Sequence, residues 1–393
     1  MLCLNQDGDI PTDNRLDEVA LYQFACLHGH LRRDPRLTPL VVRQALKGFD
    51  LNAAEPNLKP GPILTGAEAS DYRRYLQSLA AAEGKPDHRF LMIIQLTADT
   101  TPDMVREAYA MGYRVWKYYP HGVTTNSDTG VMGWWGPVMP ALSAMARINS
   151  QNPDRLVVLQ VHAEEGSEAD PWRREEAAIQ RVEWLSVNFP HLRISFEHVS
   201  TVAAVELARR RENIGLSVSI VHMTLVKSDV VDHDHRLHPH CWCAPVAKDE
   251  QARAVLIRAA LGEISDLSNR VYLGLDFAPH AVDLKEADPE WRYPPLPGQS
   301  LPPMGAYSLD VAIPLLVALF ERYGRADWLN RLVAFSAMSG PNWYQLPAPS
   351  ALMTLVRQPW TVPEVYLDQE GRPLLRSFMV GHEVSWRIKL CPA

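Results

Sequence analysis

Cysteine is scarce in this sequence and is not arranged for a structural role. Five cysteines are scattered along the chain, at Cys3, Cys26, Cys241, Cys243 and Cys391. Their odd number and irregular spacing exclude a zinc ribbon and a disulfide framework. We therefore expect reduced thiols, as in a cytoplasmic protein.

Positive charge and long apolar runs are also lacking. The formal net charge of -7 at pH 7 provides no basic field that would attract nucleic acid. The first residues show no basic start followed by an apolar stretch, and no run reaches the roughly 20 apolar residues of a membrane span. These absences predict a cytoplasmic protein with a small-molecule substrate and no nucleic-acid or membrane partner.

The chain does contain enough apolar material for a large α/β core. Of its 393 residues, 47% are hydrophobic and 22% are charged, which is typical of a globular protein. From Phe90 onward, short apolar runs alternate with amphipathic stretches, as in parallel strands covered by helices. The predicted strands are 91–96, 113–118, 156–161, 193–196, 215–221 and 271–275. The predicted helices are 101–111, 172–188, 201–211, 248–261, 308–323 and 326–337.

The number of these units favours a (β/α)8 barrel of the TIM type over an open sheet, because no strand is followed by a glycine-rich nucleotide fingerprint. We expect one barrel domain over residues 1–393. Within it, residues 359–393 are expected to form short strands and turns packed on the barrel as a C-terminal extension. The proline-rich stretch 284–304 is predicted to be a long ordered loop beside the functional site.

Two histidines, His28 and His30, lie two residues apart in the segment Cys26-Leu-His-Gly-His-Leu-Arg32. On an extended strand both side chains would point the same way, and two imidazoles on one face can share a metal ion. Such a pair also occurs as ordinary polar side chains. The pair by itself therefore leaves a metal site and a merely polar strand as alternatives.

Four further polar residues stand where predicted strands end, namely Lys117, His162, His198 and Asp276. In a (β/α)8 barrel the C-terminal strand ends converge on one mouth, so residues far apart in sequence become neighbours there. Each residue alone could be a polar strand terminus satisfied by a loop. Together with the histidine pair, they indicate a metal centre at the mouth.

A lysine among metal ligands requires an explanation, because its ammonium repels cations and is costly to bury. Carboxylation of the Lys117 amine would remove the conflict. The resulting carbamate is anionic and has two oxygens, so it could bridge two divalent metal ions for two-metal hydrolysis.

At this point the residues resemble those of a known family, the dihydroorotases of the amidohydrolase superfamily, in their free-standing bacterial form. The resemblance runs nearly end to end, and the lysine motif with its Thr-Thr-Asn-Ser is the most specific part. The matching segments are His28-Gly-His-Leu-Arg32, Glu55-Pro-Asn-Leu-Lys-Pro60, Lys117-Tyr-Tyr-Pro-His-Gly-Val-Thr-Thr-Asn-Ser127, Val161-His-Ala-Glu164, Glu197-His-Val-Ser-Thr201, Leu273-Gly-Leu-Asp-Phe-Ala-Pro-His280 and Gly340-Pro-Asn-Trp-Tyr-Gln-Leu-Pro347.

The resemblance implies a binuclear centre, usually of zinc. It makes His28, His30 and Asp276 ligands of one ion and His162 and His198 ligands of the other, with carboxylated Lys117 and a water bridging them. The implied reaction is the reversible hydrolysis of dihydroorotate to N-carbamoyl-aspartate in pyrimidine biosynthesis, in which Asp276 accepts a proton and then delivers it to the departing amide nitrogen. Homodimers are common in that family.

The resemblance also implies a set of substrate contacts. Arg32, Asn57 and His280 match the positions that hold the substrate carboxylate. Thr124 and Thr125 match a loop that closes over the substrate, and Met223 matches a position whose backbone contacts the ring.

The chain departs from the family after His280, where a cysteine- and glycine-rich stretch is replaced by Asp283-Leu-Lys-Glu-Ala-Asp-Pro-Glu-Trp-Arg-Tyr-Pro-Pro295. One backbone contact to substrate cannot be mapped onto this stretch. Two alternatives therefore remain at the level of sequence. One is another cyclic amidase, such as a hydantoinase, and the other is a non-catalytic partner of a transcarbamoylase. The histidine-rich stretch 232–243 matches no standard metal spacing and is expected to be a solvated loop.

Overall fold

The computed structural model describes residues 16–389, and Cys3 and Cys391 lie outside them. Its centre is an eight-stranded parallel sheet in sequence order, from β2 to β9, with helices between the strands, so the (β/α)8 prediction is confirmed. The strands are β1 Glu18–Tyr22, β2 Phe24–Cys26, β3 Phe49–Ala54, β4 Arg89–Leu96, β5 Val115–Tyr118, β6 Val158–Val161, β7 Arg193–Phe196, β8 Ile214–Val218, β9 Val271–Leu273, β10 Leu352–Val356, β11 Trp360–Thr361, β12 Tyr366–Leu367, β13 Pro373–Leu375, β14 Glu383–Val384 and β15 Arg387–Ile388.

The helices pack on the outside of the sheet, and most bury one apolar face. They are α1 Leu37–Ala45, α2 Gly66–Ala82, α3 Pro102–Ala110, α4 Met139–Gln151, α5 Arg174–Asn188, α6 Val202–Arg210, α7 Ile220–Thr224, α8 Lys227–Val230, α9 Glu250–Ala260, α10 Val282–Lys285, α11 Ala312–Tyr323, α12 Trp328–Val333 and α13 Ser339–Trp343, with a π-helical turn at Ala334–Met338. None of the helices in residues 16–389 is long and apolar enough to span a lipid bilayer.

Local sequence signals explain where several helices begin. In α2 the Thr65 hydroxyl accepts from the Glu68 backbone N–H, while the Glu68 carboxylate accepts from the Thr65 N–H, which is a complete capping box. Thr101 and Thr201 cap α3 and α6 in the same way through one bond each. These caps fix the residue at which each of these helices begins.

One predicted strand was wrong because it continued into a helix. The prediction continued the strand over 215–221, but β8 ends at Val218 and α7 begins at Ile220. Ser219 causes the change, because its hydroxyl accepts from the His222 backbone N–H and so caps a helix. A run of β-branched residues had concealed this switch.

The first two barrel units, from β2 to α2, were not predicted, and the histidine pair does not lie on a strand. Strand β2 ends at Cys26, so His28 and His30 occupy the bend that follows it. Strand β2 is three residues long and wholly buried, which leaves no alternating pattern to recognise. The strand expected to align the two imidazoles is therefore absent, and tertiary contacts align them instead.

The segment after Pro359 lies against the barrel. Strand β10 pairs with both β1 and β15, and the backbone N–H of Phe378 donates to the Tyr307 carbonyl at 3.0 Å. Trp386 is fully buried, and its indole N–H donates to Glu321 at 3.3 Å. The single-domain organisation over residues 1–393 stays a prediction.

Candidate metal centre and substrate pocket

The first and last barrel strands meet at a seam next to the site. Gly29 and Phe277 form an isolated parallel bridge. The His30 N–H donates to the Phe277 carbonyl at 3.0 Å, and the Asp276 N–H donates to the His28 carbonyl at 3.0 Å. These bonds bring together three predicted ligands that lie about 250 positions apart along the chain: His28 and His30 on one side and Asp276 on the other.

Glycine is required between the two histidines. A Cβ atom on Gly29 would lie 2.2 Å from a ring carbon of Phe277, a distance that no real contact shows. The Phe277 ring is fully buried. The close approach of the two strands at the seam therefore depends on the missing side chain.

We expect Gly29→Ala to lower the free energy of unfolding by about 1–3 kcal/mol, the usual cost of overpacking, and to reduce metal binding because His28 and His30 flank the clash. Chemical denaturation and metal analysis by mass spectrometry measure both effects. The double variant Gly29→Ala/Phe277→Leu should recover metal binding, since the smaller side chain relieves the overlap. Equal metal loss in the single and double variants would contradict this explanation.

The side chains of the four predicted histidine ligands and of Asp276 converge. The Asp276 Oδ1 atom lies 3.4 Å from His28 Nε2 and 3.1 Å from His30 Nε2. On the other side, His162 Nδ1 lies 3.1 Å from His198 Nε2. Ligand atoms of His28, His198 and Asp276 all lie within 4.8 Å of one another, so the structure brings both groups of predicted ligands into one cluster.

Hydrogen bonds from the opposite ring nitrogens orient these imidazoles. His28 Nδ1 donates to Glu197 at 2.6 Å, and His162 Nε2 donates to Glu164 at 2.8 Å. His30 Nδ1 donates to the Asn57 side-chain oxygen at 2.9 Å. Each bond favours the tautomer in which the nitrogen facing the cluster carries no proton and can bind a metal.

Two of the cluster residues have backbone conformations that side chains rarely adopt. His198 has φ of 38° and Asp276 has φ of 49°. Residues other than glycine are strained in this region, and such strain concentrates at functional sites. The Ser217 hydroxyl supports His198 by accepting from its backbone N–H at 2.7 Å.

Burial controls the charge of the cluster. It lowers the pKa of His28, His30 and His198 well below the usual range, and the nearby Lys117 adds to this effect. Burial also raises the pKa of Asp276 to about 6 and that of Glu55 to about 8, and in both cases Lys117 opposes it. The histidines are therefore neutral, which is the form that binds metal ions.

Lys117 lies beneath the cluster on β5 and is fully buried. Its Nζ atom is 3.4 Å from His28 Nδ1 and 3.6 Å from Glu55 Oε2. Tyr119 donates its hydroxyl to the same glutamate at 2.9 Å. The lysine therefore reaches the cluster from below, between its ligand groups and Glu55.

The donor set fits divalent metal ions. It combines four imidazoles and a carboxylate, which are ligands that zinc and related ions accept. Three buried polar atoms around it have no hydrogen-bond partner among the described residues: Glu55 Oε1, Glu164 Oε1 and His198 Nδ1. Unsatisfied buried polar atoms are costly, so the site is built to receive further polar groups.

A small pocket opens above the cluster. Its wall includes predicted ligands, four predicted substrate contacts or loop residues, and several residues that the sequence did not single out. The lining residues are His28, His30, Arg32, Asn57, Tyr119, Thr124, Thr125, His162, His198, Ala244, Asp276, Ala278, Met304 and Gly305.

Arg32 presents an unneutralised positive charge to this pocket. Its side chain is buried, its Nε donates to the Pro279 carbonyl at 3.1 Å, and its terminal nitrogen lies 3.3 Å from His280 Nε2. None of the described residues forms an ion pair with it, and burial lowers its pKa to about 10. A buried guanidinium without a carboxylate partner indicates that the ligand supplies the negative charge.

The loop carrying Thr124 and Thr125 is closed over the pocket. The Thr125 hydroxyl donates to the Met304 carbonyl at 3.0 Å, and the Asn57 amide donates to the Thr125 carbonyl at 3.0 Å. The Asn126 amide donates in turn to the Asn57 carbonyl at 3.2 Å. Two walls of the pocket therefore hold this loop.

Two predicted contacts lie behind the pocket surface. His280 does not line the pocket, but its Nε2 lies 3.0 Å from the Met304 carbonyl and it adjoins Arg32. Met223 is buried in α7 and is also absent from the lining. Their predicted roles in binding stay predictions.

Sequence reasoning missed the glutamates that orient the histidines. Glu164 and Glu197 stand beside ligands in the quoted motifs, so an acidic residue one or two positions from a strand-end histidine was an available signal. Tyr119, Met304 and Gly305 carried no such signal, because only the tertiary fold brings them to the pocket. The other group of metal-type residues in the described chain, Asp232 to Asp234, lies on an exposed turn.

The chain was compared with known proteins. No family model matches it. It is 33% identical over 368 residues to the dihydroorotase of Neisseria meningitidis serogroup C, covering 92% of this chain and 96% of the relative. It is 32% identical over 376 residues to the mitochondrial dihydroorotase of Arabidopsis thaliana, covering 94% and 90%.

A solved structure gives the same relationship. The crystal structure of the Saccharomyces cerevisiae dihydroorotase in complex with 5-fluoroorotic acid superposes with a TM-score of 0.79 at 26% identity, covering 95% of this chain and 99% of that one. The aligned region covers nearly the whole chain, so it includes the residues of the ligand cluster and those of the pocket walls. The chain therefore belongs to the dihydroorotase family.

Proposed function

We propose that this chain is a metal-dependent dihydroorotase, which hydrolyses the cyclic amide of (S)-dihydroorotate reversibly to N-carbamoyl-L-aspartate in pyrimidine biosynthesis. The observation that carries the proposal is the buried, unneutralised Arg32 beside the histidine and aspartate cluster. A hydrolytic centre beside a carboxylate-binding guanidinium suits a ring amide that carries a carboxylate.

The proposed metal ligands are those of the cluster. His28, His30 and Asp276 would hold one divalent ion, His162 and His198 would hold the other, and N6-carboxylated Lys117 would serve both; the proposed metal is zinc. When bound, such ions polarise the ring carbonyl and lower the pKa of water to near neutrality.

The proton transfers fall to Asp276. In the hydrolytic direction its carboxylate accepts the proton of the attacking water and then delivers it to the departing amide nitrogen, so one group acts as base and acid in turn. Its position at the seam, 3.1 Å from His30 Nε2, places it inside the cluster and at the pocket wall.

Substrate orientation falls to residues in the pocket wall and directly behind it. Arg32, Asn57 and His280 would hold the carboxylate, and the Met223 backbone would contact the ring. Closure by Thr124 and Thr125 excludes water, which strengthens the electrostatic interactions inside the pocket. The Asn57 amide already bonds the Thr125 carbonyl, so carboxylate binding and loop closure would share one residue.

We expect Arg32→Met to raise the KM for dihydroorotate about 100-fold, because it removes charge-assisted hydrogen bonds worth about 1.5–3 kcal/mol each. The adjacent Arg33→Met is the matched control, since Arg33 is exposed and stacks on the Tyr72 ring at 5.2 Å. Steady-state kinetics of both variants test the carboxylate contact. Similar KM increases in both would refute a specific role for Arg32.

The activity is tested with purified protein supplied with zinc and bicarbonate. We expect interconversion of dihydroorotate and carbamoyl-aspartate, with dihydroorotate preferred over hydantoin. Faster turnover of hydantoin would replace the proposal by another cyclic amidase. Stoichiometric metal without turnover of either substrate would favour a non-catalytic relative.

We also infer the cellular location and the oligomeric state of the enzyme from its family. A cytoplasmic homodimer acting on a small molecule is consistent with the net charge of -7 and with the resemblance described above. One relative, from Arabidopsis thaliana, is mitochondrial.

A further inference from the structure

The lysine of the unmapped stretch after His280 is buried behind the pocket wall. Lys285 ends α10 and is only 2% exposed. Its ammonium donates to three backbone carbonyls, those of Pro239 at 2.6 Å, Trp242 at 3.2 Å and Pro303 at 2.8 Å. A lysine ammonium has three N–H donors, so every one of them is used on a loop carbonyl.

This arrangement is costly unless it serves a purpose. Burying an ammonium carries a large desolvation penalty, and burial lowers the pKa of Lys285 to about 7. None of the described carboxylates forms an ion pair with it. Its neighbour Glu286 instead points outward, where it bonds His240 at 2.8 Å and Arg376 at 2.9 Å.

The three carbonyls belong to two segments that barrel strands do not hold together. One segment contains Pro239 and Trp242, and the other leads from Pro303 into Met304 and Gly305. The Gly305 N–H also donates to the Trp242 carbonyl, at 2.8 Å. Lys285 therefore closes a small hydrogen-bonded joint between the two segments.

This joint fixes one side of the pocket. Met304 and Gly305 line it, and the Met304 carbonyl accepts from the Thr125 hydroxyl and lies 3.0 Å from His280 Nε2. A Cβ atom on Gly305 would lie 2.7 Å from the Ala278 Cβ, so the wall packs closely against its neighbours. A shift of this wall would move both the closing loop and the histidine beside Arg32.

We propose that Lys285 is a positioning residue that sets substrate affinity, by holding the Pro303–Gly305 wall against the closing loop and His280. The proposal rests on the proposed function, because it assigns His280 and Thr125 to substrate binding. The stretch that departs from the family therefore supplies an internal support for the pocket.

The test compares Lys285→Met with Glu286→Gln, which removes a charge from the same helix end but keeps a side-chain oxygen that can accept from His240. For Lys285→Met we expect the KM for dihydroorotate and the inhibition constant of 5-fluoroorotic acid to rise about tenfold, with kcat within about threefold of wild type. Metal content should be unchanged. Glu286→Gln should match wild type in all four measurements.

A second variant covers loss of folding and tests rescue. Lys285→Arg keeps a cationic donor, and its KM should lie between those of wild type and Lys285→Met; if Lys285→Met does not fold, Lys285→Gln replaces it in the comparison. A wild-type KM, or a fall in kcat at constant KM, would overturn the proposal while leaving the proposed function intact. If wild-type protein neither turns over dihydroorotate nor binds 5-fluoroorotic acid, the proposed function fails and this inference with it.

Discussion

Replacing Asp276 by asparagine is expected to lower kcat for dihydroorotate about 10³-fold, because general acid–base groups contribute about 10²–10⁴-fold to such reactions. The amide cannot accept the proton of the attacking water or return one to the leaving nitrogen. It also removes a negative charge from a buried cluster whose histidines are neutral. Steady-state kinetics and metal analysis of the same protein sample separate the two effects.

Asp310→Asn is the matched control for Asp276→Asn. Asp310 is also a carboxylate in a desolvated setting, where burial raises its pKa to about 6, and it accepts from the Tyr366 and Ser377 hydroxyls away from the pocket. We expect this variant to keep wild-type kcat. An Asp276→Asn enzyme with normal metal content and normal kcat would remove Asp276 from the proton path.

Replacing Lys117 by alanine is expected to prevent binding of two metal ions and to lower kcat by at least about 10³-fold. The reason is that activation by two metal ions lowers the free-energy barrier that determines kcat by several kcal/mol. The side chain is fully buried under the cluster, and its Nζ lies 3.6 Å from Glu55. Without a carboxylated amine, the neutral histidines would lack the anionic group between them. Metal analysis should show the content falling from two ions per chain to one or fewer.

Rescue distinguishes a carbamate from an ordinary lysine at this position. Lys117→Ala leaves a cavity that a short carboxylate such as propionate can enter, so added propionate should restore part of the activity. Lys117→Arg keeps the cationic charge and fills the cavity, so propionate should not help it. If Lys117→Arg retained wild-type activity, or if reconstitution of the wild-type apoenzyme were indifferent to bicarbonate, carboxylation would be refuted.

The ligand cluster could be predicted because it follows a general property of barrels. Parallel strands end at a common mouth, so His162 and His198 could be assigned to one place without any knowledge of their contacts. His162 directly follows β6, and His198 follows β7 after one residue. The direction of each strand was therefore enough to assign both histidines to the mouth of the barrel.

Other parts of the site could not be predicted because they depend on contacts between distant segments. Lys285 lies in a proline-rich stretch where a lysine ordinarily indicates a solvated loop, and only the fold places three carbonyls around it. Met304 likewise contacts the closing loop and His280 through its backbone carbonyl, which sequence does not distinguish. The bend at His28 and His30 was missed because β2 is too short and too buried to show periodicity.

The barrel seam at Gly29 and Phe277 also has a consequence for the order of folding. Contacts between positions about 250 residues apart form late, because closing so long a loop costs entropy before any contact offsets it. His28, His30 and Asp276 lie on the two sides of this seam, so their ligand set is complete only after the ring has closed. An ion that needs all three would then bind the closed barrel and not its open precursors. By mass action it would stabilise the closed barrel, and this stabilisation would increase with the free metal concentration.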